Sequence, residues 1–173
     1  MERLHIGGEQ PKDGWKILNI QPGSDVDFVG SLQDLSAFAD GSWDEIYASH
    51  VLEHIPMAAI LPALQGVFRI LKPGGKLMIS VPDLETLCRL FLHPQLDKIG
   101  RLHVMRMIFG AQADAHDFHY VGLNLELLSE FLTGAGFTGI ERVSSFGLFD
   151  DMSDFAPLGN VPISLNVAAY KAS

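Results

Sequence analysis

Histidine and acidic side chains concentrate in two short runs of this 173-residue chain. The first run, residues 50–54, reads His-Val-Leu-Glu-His, and the second, residues 114–120, reads Asp-Ala-His-Asp-Phe-His-Tyr. Imidazole rings can exchange protons near neutral pH, and neighbouring carboxylates can orient them. The two runs therefore contain the residue types needed for acid–base chemistry or metal binding.

His50 is the foremost candidate for a catalytic residue because it directly follows a predicted strand, where ligands of open α/β sheets bind. It would contact a cofactor or accept a proton from a hydroxyl acceptor, although a polar side chain at a strand–helix turn is an equally good explanation. His116 and His119 are the other catalytic candidates, with Asp114 and Asp117 as orienting partners. The alternative for this second run is a polar loop whose side chains cap its turns.

The spacing of the first run also matches His-x-x-Glu-His, the zinc-binding arrangement of the inverted metalloproteases. Two histidines four residues apart can share one face of a helix and bind one metal ion. That arrangement needs a long helix, whereas Pro56 follows almost at once and would interrupt it. A zinc hydrolase is therefore disfavoured, a structural role is favoured for His54, and no metal ligand is predicted.

The elements that must position these residues alternate between short apolar runs and amphipathic helices. Strands are predicted over residues 3–6, 16–20, 26–30, 45–49, 76–81, 138–146 and 163–171. Helices are predicted over residues 57–71, from Leu84 until Pro94, and over residues 98–109 and 124–135. Residues 72–75, Lys-Pro-Gly-Gly, should end the first helix. The side chain of Asp83 should cap the second helix by accepting hydrogen bonds from the backbone amides of its first turn. This alternation predicts an α/β fold around a largely parallel sheet.

The connection between the first two predicted strands is short, because only residues 7–15 separate them. Parallel neighbours usually need a crossover of about a dozen residues or more, so the first helix is predicted to be reduced or absent. The carboxyl ends of parallel strands meet at one edge of a sheet. That edge should therefore form a ligand pocket from Gly7, Gly8, Gln21, Ser31, Leu32, Ser49 and His50.

Three segments, residues 40–55, residues 69–77 and residues 135–137, resemble parts of one known fold family. They are similar, in this order, to the fourth-strand segment, the helix-turn-strand signature and the entry into the sixth strand of the class I S-adenosylmethionine-dependent methyltransferases. The resemblance covers about residues 1–146 and is closest to a subgroup of small, compact methyltransferase-like proteins. It implies a Rossmann-like, mostly parallel sheet of seven strands whose last strand is antiparallel.

The same resemblance implies S-adenosylmethionine as the cofactor. Family members approach its methionine portion with a Gly-x-Gly-x-Gly loop, where this chain has only Gly7 and Gly8. An acidic residue usually binds the ribose hydroxyls, where this chain has Asn-Ile-Gln ending at Gln21. An aspartate usually contacts the adenine, where this chain has Ser31 before Leu32. The resemblance assigns cofactor binding to these positions, together with Ser49 and His50.

Composition excludes several other classes of protein. The chain has 12 basic and 21 acidic side chains, a formal net charge of −9, and 47% apolar residues. It is too apolar for a disordered chain, and it lacks the basic surface typical of nucleic-acid binding. The single cysteine predicts a reducing, cytoplasmic compartment. The sequence shows no apolar signal segment and no uninterrupted apolar span, so we expect a soluble protein that does not enter a membrane. Residues 1–173 are expected to form a single domain.

Two functions follow from these observations. The leading one is methyl transfer from S-adenosylmethionine to a small-molecule or glycan acceptor, through a hydroxyl. The second is a non-catalytic methyltransferase-like protein that binds a nucleotide-like ligand or a protein partner, suggested by the altered glycine loop, Gln21 and Ser31. A homodimer is also expected, because a reduced first helix leaves apolar surface uncovered.

Overall fold

A seven-stranded sheet organises the computed structural model, which describes residues 1–157 and 161–173. Its strands are β1 (Arg3–Ile6), β2 (Trp15–Asn19), β3 (Phe28–Val29), β4 (Trp43–Ser49), β5 (Leu71–Pro82), β6 (Thr138–Val143) and β7 (Ser164–Tyr170). Its helices are α1 (Met57–Ile70), α2 (Leu84–Phe91), α3 (Lys98–Phe109) and α4 (Leu125–Ala135), with single 3₁₀ turns at Leu52–His54 and Met152–Asp154. None of the helices in the described residues combines the length and the apolar character needed to cross a bilayer.

The strand order is β3-β2-β1-β4-β5-β7-β6. β7 runs antiparallel to β5 and β6, whereas the pairs among β1, β2, β3, β4 and β5 are parallel. The predicted Rossmann-like sheet with its antiparallel last strand is thereby confirmed. The order reverses next to β1 and β4, so the carboxyl ends of these strands form the crevice in which ligands of such sheets bind.

One face of the sheet is covered by helices, and the other is covered mainly by a loop. α1 and α4 contact each other and bury the main apolar core. Residues 7–14, all of them described, contain no helix between β1 and β2, as predicted. Residues 144–157, here called the covering segment, lie on this second face, where Phe146, Leu148 and Phe149 pack against Trp15, Tyr47 and Met78.

Two polar anchors hold the covering segment on the sheet. Tyr47 Oη donates a 2.8 Å hydrogen bond to Asp151 Oδ2, and Asn166 Nδ2 donates a 3.0 Å bond to the carbonyl of Ser153. Tyr47 and Asn166 both lie on strands inside the sheet, on β4 and β7. The covering segment is therefore fixed by the sheet itself and not only by its own turns.

His5 lies beneath the covering segment and is 5% exposed. Its ring centroid lies 4.1 Å from that of Phe149 and 5.0 Å from that of Tyr47. A Cβ atom at Gly8 would lie 2.4 Å from His5 Nδ1, so the glycine lets the chain pass directly over the ring. Burial lowers the pKa of His5 to about 4, although the charge of Asp151 opposes this shift. The ring is therefore neutral at neutral pH.

Several predicted boundaries are corrected by the structure. The predicted loop over residues 72–75 is part of β5, which begins at Leu71 directly after α1. The last carbonyls of α1 are satisfied from outside the helix: Ser42 N donates to Ile70 O at 2.8 Å and Lys171 Nζ donates to Phe68 O at 2.8 Å. Because these distant donors close the helix end, no separate stop loop is needed.

The predicted capping role of the Asp83 side chain is also wrong. Asp83 is the N-cap residue of α2, but its carboxylate makes no cap hydrogen bond. Asp83 Oδ2 instead accepts hydrogen bonds from Arg142 Nη2 at 2.9 Å and from Thr86 Oγ1 at 3.0 Å. The nearly buried carboxylate therefore bonds the guanidinium of Arg142 on β6 and not the backbone amides of α2, because a charged donor makes a stronger hydrogen bond than a backbone amide.

The neutral, buried His5 makes folding stability depend on pH. In the unfolded chain the ring accepts a proton below its ordinary pKa of 6.5, whereas in the folded chain it does so only near pH 4. The unfolded state therefore binds more protons in this window, and stability is lost as the pH falls from about 6.5 to about 4. We expect this residue to cost about 2 kcal/mol of unfolding free energy between pH 7 and pH 5.

Urea unfolding at both pH values measures this loss, with His5→Phe as the matched variant that keeps a ring in the aromatic cluster and cannot titrate. The variant should lose less stability than the wild-type chain over the same interval. Equal losses in the two proteins would contradict the assignment.

Candidate functional site

A cavity of about 530 Å³ opens at the carboxyl ends of β1, β2 and β4. We call it the edge cavity. Its strand-end walls include Gly7, Glu9, Asn19, Ile20, Ser31, Leu32 and His50, and its opposite wall includes His54, His116 and Tyr120. The structure therefore brings together four of the predicted cofactor residues at one sheet edge: Gly7, Ser31, Leu32 and His50.

The other three predicted cofactor residues lie elsewhere. Gly8 and Ser49 line a different cavity, of about 410 Å³, which lies beneath the covering segment and is also lined by His5 and Phe149. Gln21 lines neither cavity, and its side chain is exposed. Both pairs of neighbours lie where a strand ends, and Gly7 and His50 have positive φ angles, so the chain turns there and places adjacent residues on different cavities.

Asn19, which sequence reasoning did not single out, takes the position expected of Gln21. β2 ends one residue earlier than predicted, so Asn19 is its last residue and lines the edge cavity. Its Nδ2 donates a 2.9 Å bond to Gly8 O, and its Oδ1 accepts a 2.9 Å bond from Gln21 N. The side chain thus ties the loop after β1 to the loop after β2. Strand register was the only sequence signal that could have found it.

Gly7 brings the first loop close to the turn after β4. Its φ angle is +78°, and a Cβ atom there would lie 2.4 Å from Val51 Cγ2. Any side chain would have to push the two segments apart or change the backbone of the loop. Gly7 therefore sets the width of the edge cavity where it meets His50.

A third cavity, of about 630 Å³, lies beside the edge cavity. We call it the histidine cavity, because His50, His54, His103 and His119 line it together with Glu53. Apolar side chains form other parts of its wall: Pro82, Met107, Met152, Phe155 and Ile163. His50 and His54 line both cavities, so a ligand in one cavity lies next to a ligand in the other.

His50 is held at this junction by both of its ring nitrogens. Its φ angle is +52°, which is uncommon for a residue with a side chain. Nδ1 lies 3.1 Å from Glu53 Oε1, and Nε2 lies 2.9 Å from Ser164 Oγ. The Ser164 hydroxyl donates a 2.7 Å bond to Met152 O, so its oxygen accepts the proton of His50 Nε2–H. The ring is therefore a fixed part of the wall.

Glu53 is 1% exposed. Burial on its own raises the pKa of this carboxyl group, but the hydrogen bond and charge of His50, with the charge of His54, outweigh burial and hold the pKa below its ordinary value. Glu53 is thus a buried carboxylate anion at the polar end of the histidine cavity. Sequence reasoning named it only as part of the disfavoured zinc motif.

The second histidine run is divided between the two cavities. His116 is exposed and lines the edge cavity, whereas His119 is half-buried and lines the histidine cavity. Asp114 Oδ1 accepts from His116 N at 2.7 Å and Asp117 Oδ2 accepts from Ala113 N at 3.1 Å, so both aspartates stabilise turns rather than orient the imidazoles. Burial is the main cause that lowers the pKa of His119, so its ring is neutral at neutral pH.

Comparison with known proteins agrees with this architecture. Residues 14–79 match the methyltransferase domain family. A ubiquinone biosynthesis O-methyltransferase from Nitrosococcus oceani is 28% identical over 167 residues, which are 95% of this chain and 64% of that protein. A ubiquinone/menaquinone biosynthesis C-methyltransferase from Nitrobacter hamburgensis is 28% identical over 70% of this chain and 45% of its own length. The chain thus spans less than two thirds of the length of these relatives.

A solved SAM-dependent methyltransferase from Methanosarcina mazei superposes with a TM-score of 0.61 at 18% identity, covering 99% of this chain and 92% of that one. At this identity the likeness concerns the fold. Together the comparisons confirm the resemblance stated from the sequence and the predicted architecture of the sheet.

The two hydrogen bonds of Asn19 predict a measurable loss on truncation. Asn19→Ala leaves the Gly8 carbonyl and the Gln21 amide without their partner, and we expect unfolding free energy to fall by about 1 to 2 kcal/mol. Amide exchange at residues 8–10 should also become faster. Gln21→Ala is the matched control, since the Gln21 side chain is exposed and only its backbone amide makes the bond. Equal unfolding midpoints for both variants would contradict the proposed role of Asn19 in tying the two loops together.

Proposed function

We propose that this chain, which has the fold and the central sequence segment of class I S-adenosylmethionine-dependent methyltransferases, transfers a methyl group to a hydroxyl of a small, largely apolar molecule. The observation that carries the proposal is the junction at His50, where the edge cavity meets the histidine cavity. Methyl transfer is an in-line displacement, so donor and acceptor must meet in a defined geometry. Two adjoining cavities with a fixed ring between them meet this requirement.

The edge cavity fits S-adenosylmethionine by size and by position. Its volume of about 530 Å³ falls in the range of small-molecule sites, and it lies at the strand-order reversal of the sheet. Gly7 and His50 would hold the methionine end, Asn19 would lie near the ribose, and Ser31 and Leu32 would lie near the adenine. When bound, the cofactor supplies an electrophilic methyl group. The similar protein from Methanosarcina mazei is a SAM-dependent methyltransferase, which supports this choice of cofactor.

The histidine cavity supports an apolar acceptor that carries a hydroxyl. Met107, Met152 and Phe155 offer apolar contacts, whereas Glu53 and His119 lie at its polar end. The polar end favours an oxygen acceptor, because an imidazole or a carboxylate there can accept the proton that a hydroxyl group loses when it is methylated.

A second candidate function is favoured by the bonding of Asn19. Asn19 is a neutral amide whose oxygen and nitrogen both already bond within the protein, so it does not offer the ribose the carboxylate that this position usually carries. Glu9 is the carboxylate on the strand-end wall of the edge cavity, and it is exposed. A protein that holds a nucleotide-like ligand or a partner without turnover would fit this weaker set of contacts.

A cytoplasmic location and a homodimer belong to the same proposal. The single cysteine supports a reducing compartment. Exposed apolar side chains on α2 and α3, namely Phe91, Ile99, Leu102 and Met105, support self-association. Light scattering of the purified chain measures the assembly, and a monomer at all concentrations would refute the dimer.

Isothermal calorimetry with S-adenosylmethionine and S-adenosylhomocysteine tests cofactor binding. We expect both to bind, and Gly7→Ala to weaken binding about tenfold or more, because a Cβ atom would collide with Val51. Gly147→Ala is the matched control: its φ of +59° carries the same backbone strain, but nothing lies within 4 Å of the added atom. Failure of the wild-type chain to bind either compound at millimolar concentration would favour the second function.

A turnover assay tests whether the two histidines serve different cavities. It measures the release of S-adenosylhomocysteine in the presence of small hydroxylated aromatic and aliphatic acceptors. His119→Ala should abolish turnover and leave cofactor affinity unchanged, because His119 lines only the acceptor side. His116→Ala should weaken cofactor binding, since His116 lines the edge cavity. The exposed His93 lines neither cavity, so His93→Ala is the control. Unchanged turnover in His119→Ala would remove this residue from the mechanism.

A further inference from the structure

Glu53 carries a buried charge that its protein neighbours satisfy only in part. Neither carboxylate oxygen has a hydrogen-bond partner among the described residues: Oε1 lies 3.1 Å from His50 Nδ1 in an ion-pair contact only, and Oε2 is buried with no polar partner. Leaving a carboxylate oxygen unpaired in the interior costs free energy, and native structures usually give it a donor or a metal ion. The unpaired oxygen therefore points to a missing positively charged partner.

Two imidazoles converge on the same place. One ligand atom each from Glu53, His54 and His119 lie within 4.8 Å of one another. His54 Nδ1 lies 3.2 Å from the carbonyl of Phe118 and donates to it, which leaves Nε2 with a free lone pair. His119 Nδ1 is buried and has no hydrogen-bond partner in the described part of the chain. A histidine that donates one nitrogen to a carbonyl and keeps the other free is the arrangement typical of metal ligands.

The backbone holds these three residues in place although 65 positions separate the two histidines in sequence. Tyr120 N donates a 2.8 Å bond to the carbonyl of Glu53, and the Phe118 carbonyl accepts from His54. The segment that carries His119 is therefore tied on both sides to the turn that carries Glu53 and His54. Hydrogen bonds between these two segments therefore hold the three side chains near one another.

We propose that Glu53, His54 and His119 bind a divalent first-row transition-metal ion. Two imidazoles and one carboxylate suit zinc, cobalt, manganese or iron, whereas magnesium prefers ligands that are all oxygen. Three protein ligands leave coordination positions open, and all three residues line the histidine cavity. The site thus has the composition of a metal centre that is open to a small molecule.

This set of ligands differs from the zinc motif considered from the sequence. That motif would use His50 and His54 on one helix, but Leu52–His54 is only a single 3₁₀ turn. His50 directs its two nitrogens to Glu53 and Ser164 instead. His50 therefore acts as a positioning residue for Glu53, and His119 from the distant second run takes the place of the second imidazole.

Metal binding goes beyond the proposed methyl transfer and does not require it. Its consequence for catalysis does rest on that proposed function. An acceptor hydroxyl in the histidine cavity could occupy an open position of the ion, which would make its proton easier to remove. The two ideas can fail separately, because metal binding and cofactor binding are measured by different signals.

Cobalt titration of the full-length chain, after removal of metals with a chelator, tests the site by visible absorption. We expect saturable binding of one Co²⁺ per chain, displacement by Zn²⁺, and no displacement by a millimolar excess of Mg²⁺. Glu53→Gln, His54→Ala and His119→Ala should each weaken Co²⁺ binding roughly 100-fold or more, because each removes a ligand. His93→Ala removes an exposed histidine outside both cavities and should bind as the wild-type chain does.

The melting temperature gives a second readout that separates loss of the site from loss of the fold. Zn²⁺ should raise the melting temperature of the wild-type chain and of His93→Ala, and it should leave folded Glu53→Gln unchanged. Absence of saturable Co²⁺ absorption in the wild-type chain would overturn the site, as would equal Co²⁺ affinity in all the variants. Metal binding without any binding of S-adenosylmethionine would support the site and count against the proposed function.

Discussion

The contact between His50 and Glu53 is the interaction on which the two cavities depend. Both residues lie on the turn that leaves β4, and one ring nitrogen of His50 faces the buried carboxylate at 3.1 Å. The other nitrogen reaches Ser164 on β7, so the ring spans from the turn to a neighbouring part of the sheet. Without this contact a buried charge would stand alone, and the wall between the edge cavity and the histidine cavity would have no fixed position.

The lack of a helix between β1 and β2 is compensated in a way that also supports the site. The covering segment packs aromatic side chains on the face opposite α1 and α4, around Trp15 and the neutral His5. The same segment supplies the Met152 carbonyl, which accepts the hydroxyl proton of Ser164 and so determines which way that serine faces His50. Packing on the second face of the sheet and orientation of the junction residue are therefore coupled, because one segment serves both.

Most of the fold was predictable from local patterns, whereas details at the ends of elements were not. A short apolar run that ends at a glycine predicted β1 with its observed bounds, and α3 was also predicted with the bounds it has in the structure. The first helix ends within one residue of its predicted end, but residues 72–75 belong to β5, and the cap at Asp83 was wrong because the partner of its carboxylate, Arg142, comes from far along the chain. Local propensity does not contain such donors, and a charged donor in the right place outweighs it.

The sequence by itself determined the order of the elements, the shortened first connection and the sheet edge at which Gly7, Ser31, Leu32 and His50 meet. These follow from periodicity and from the rule that parallel strands share one edge for their carboxyl ends. Only the tertiary structure decided that Asn19 replaces Gln21, that His116 and His119 serve different cavities, and that His119 joins Glu53 and His54. The reason is physical: where a strand ends, and which distant segments meet, depend on tertiary packing that no local pattern specifies.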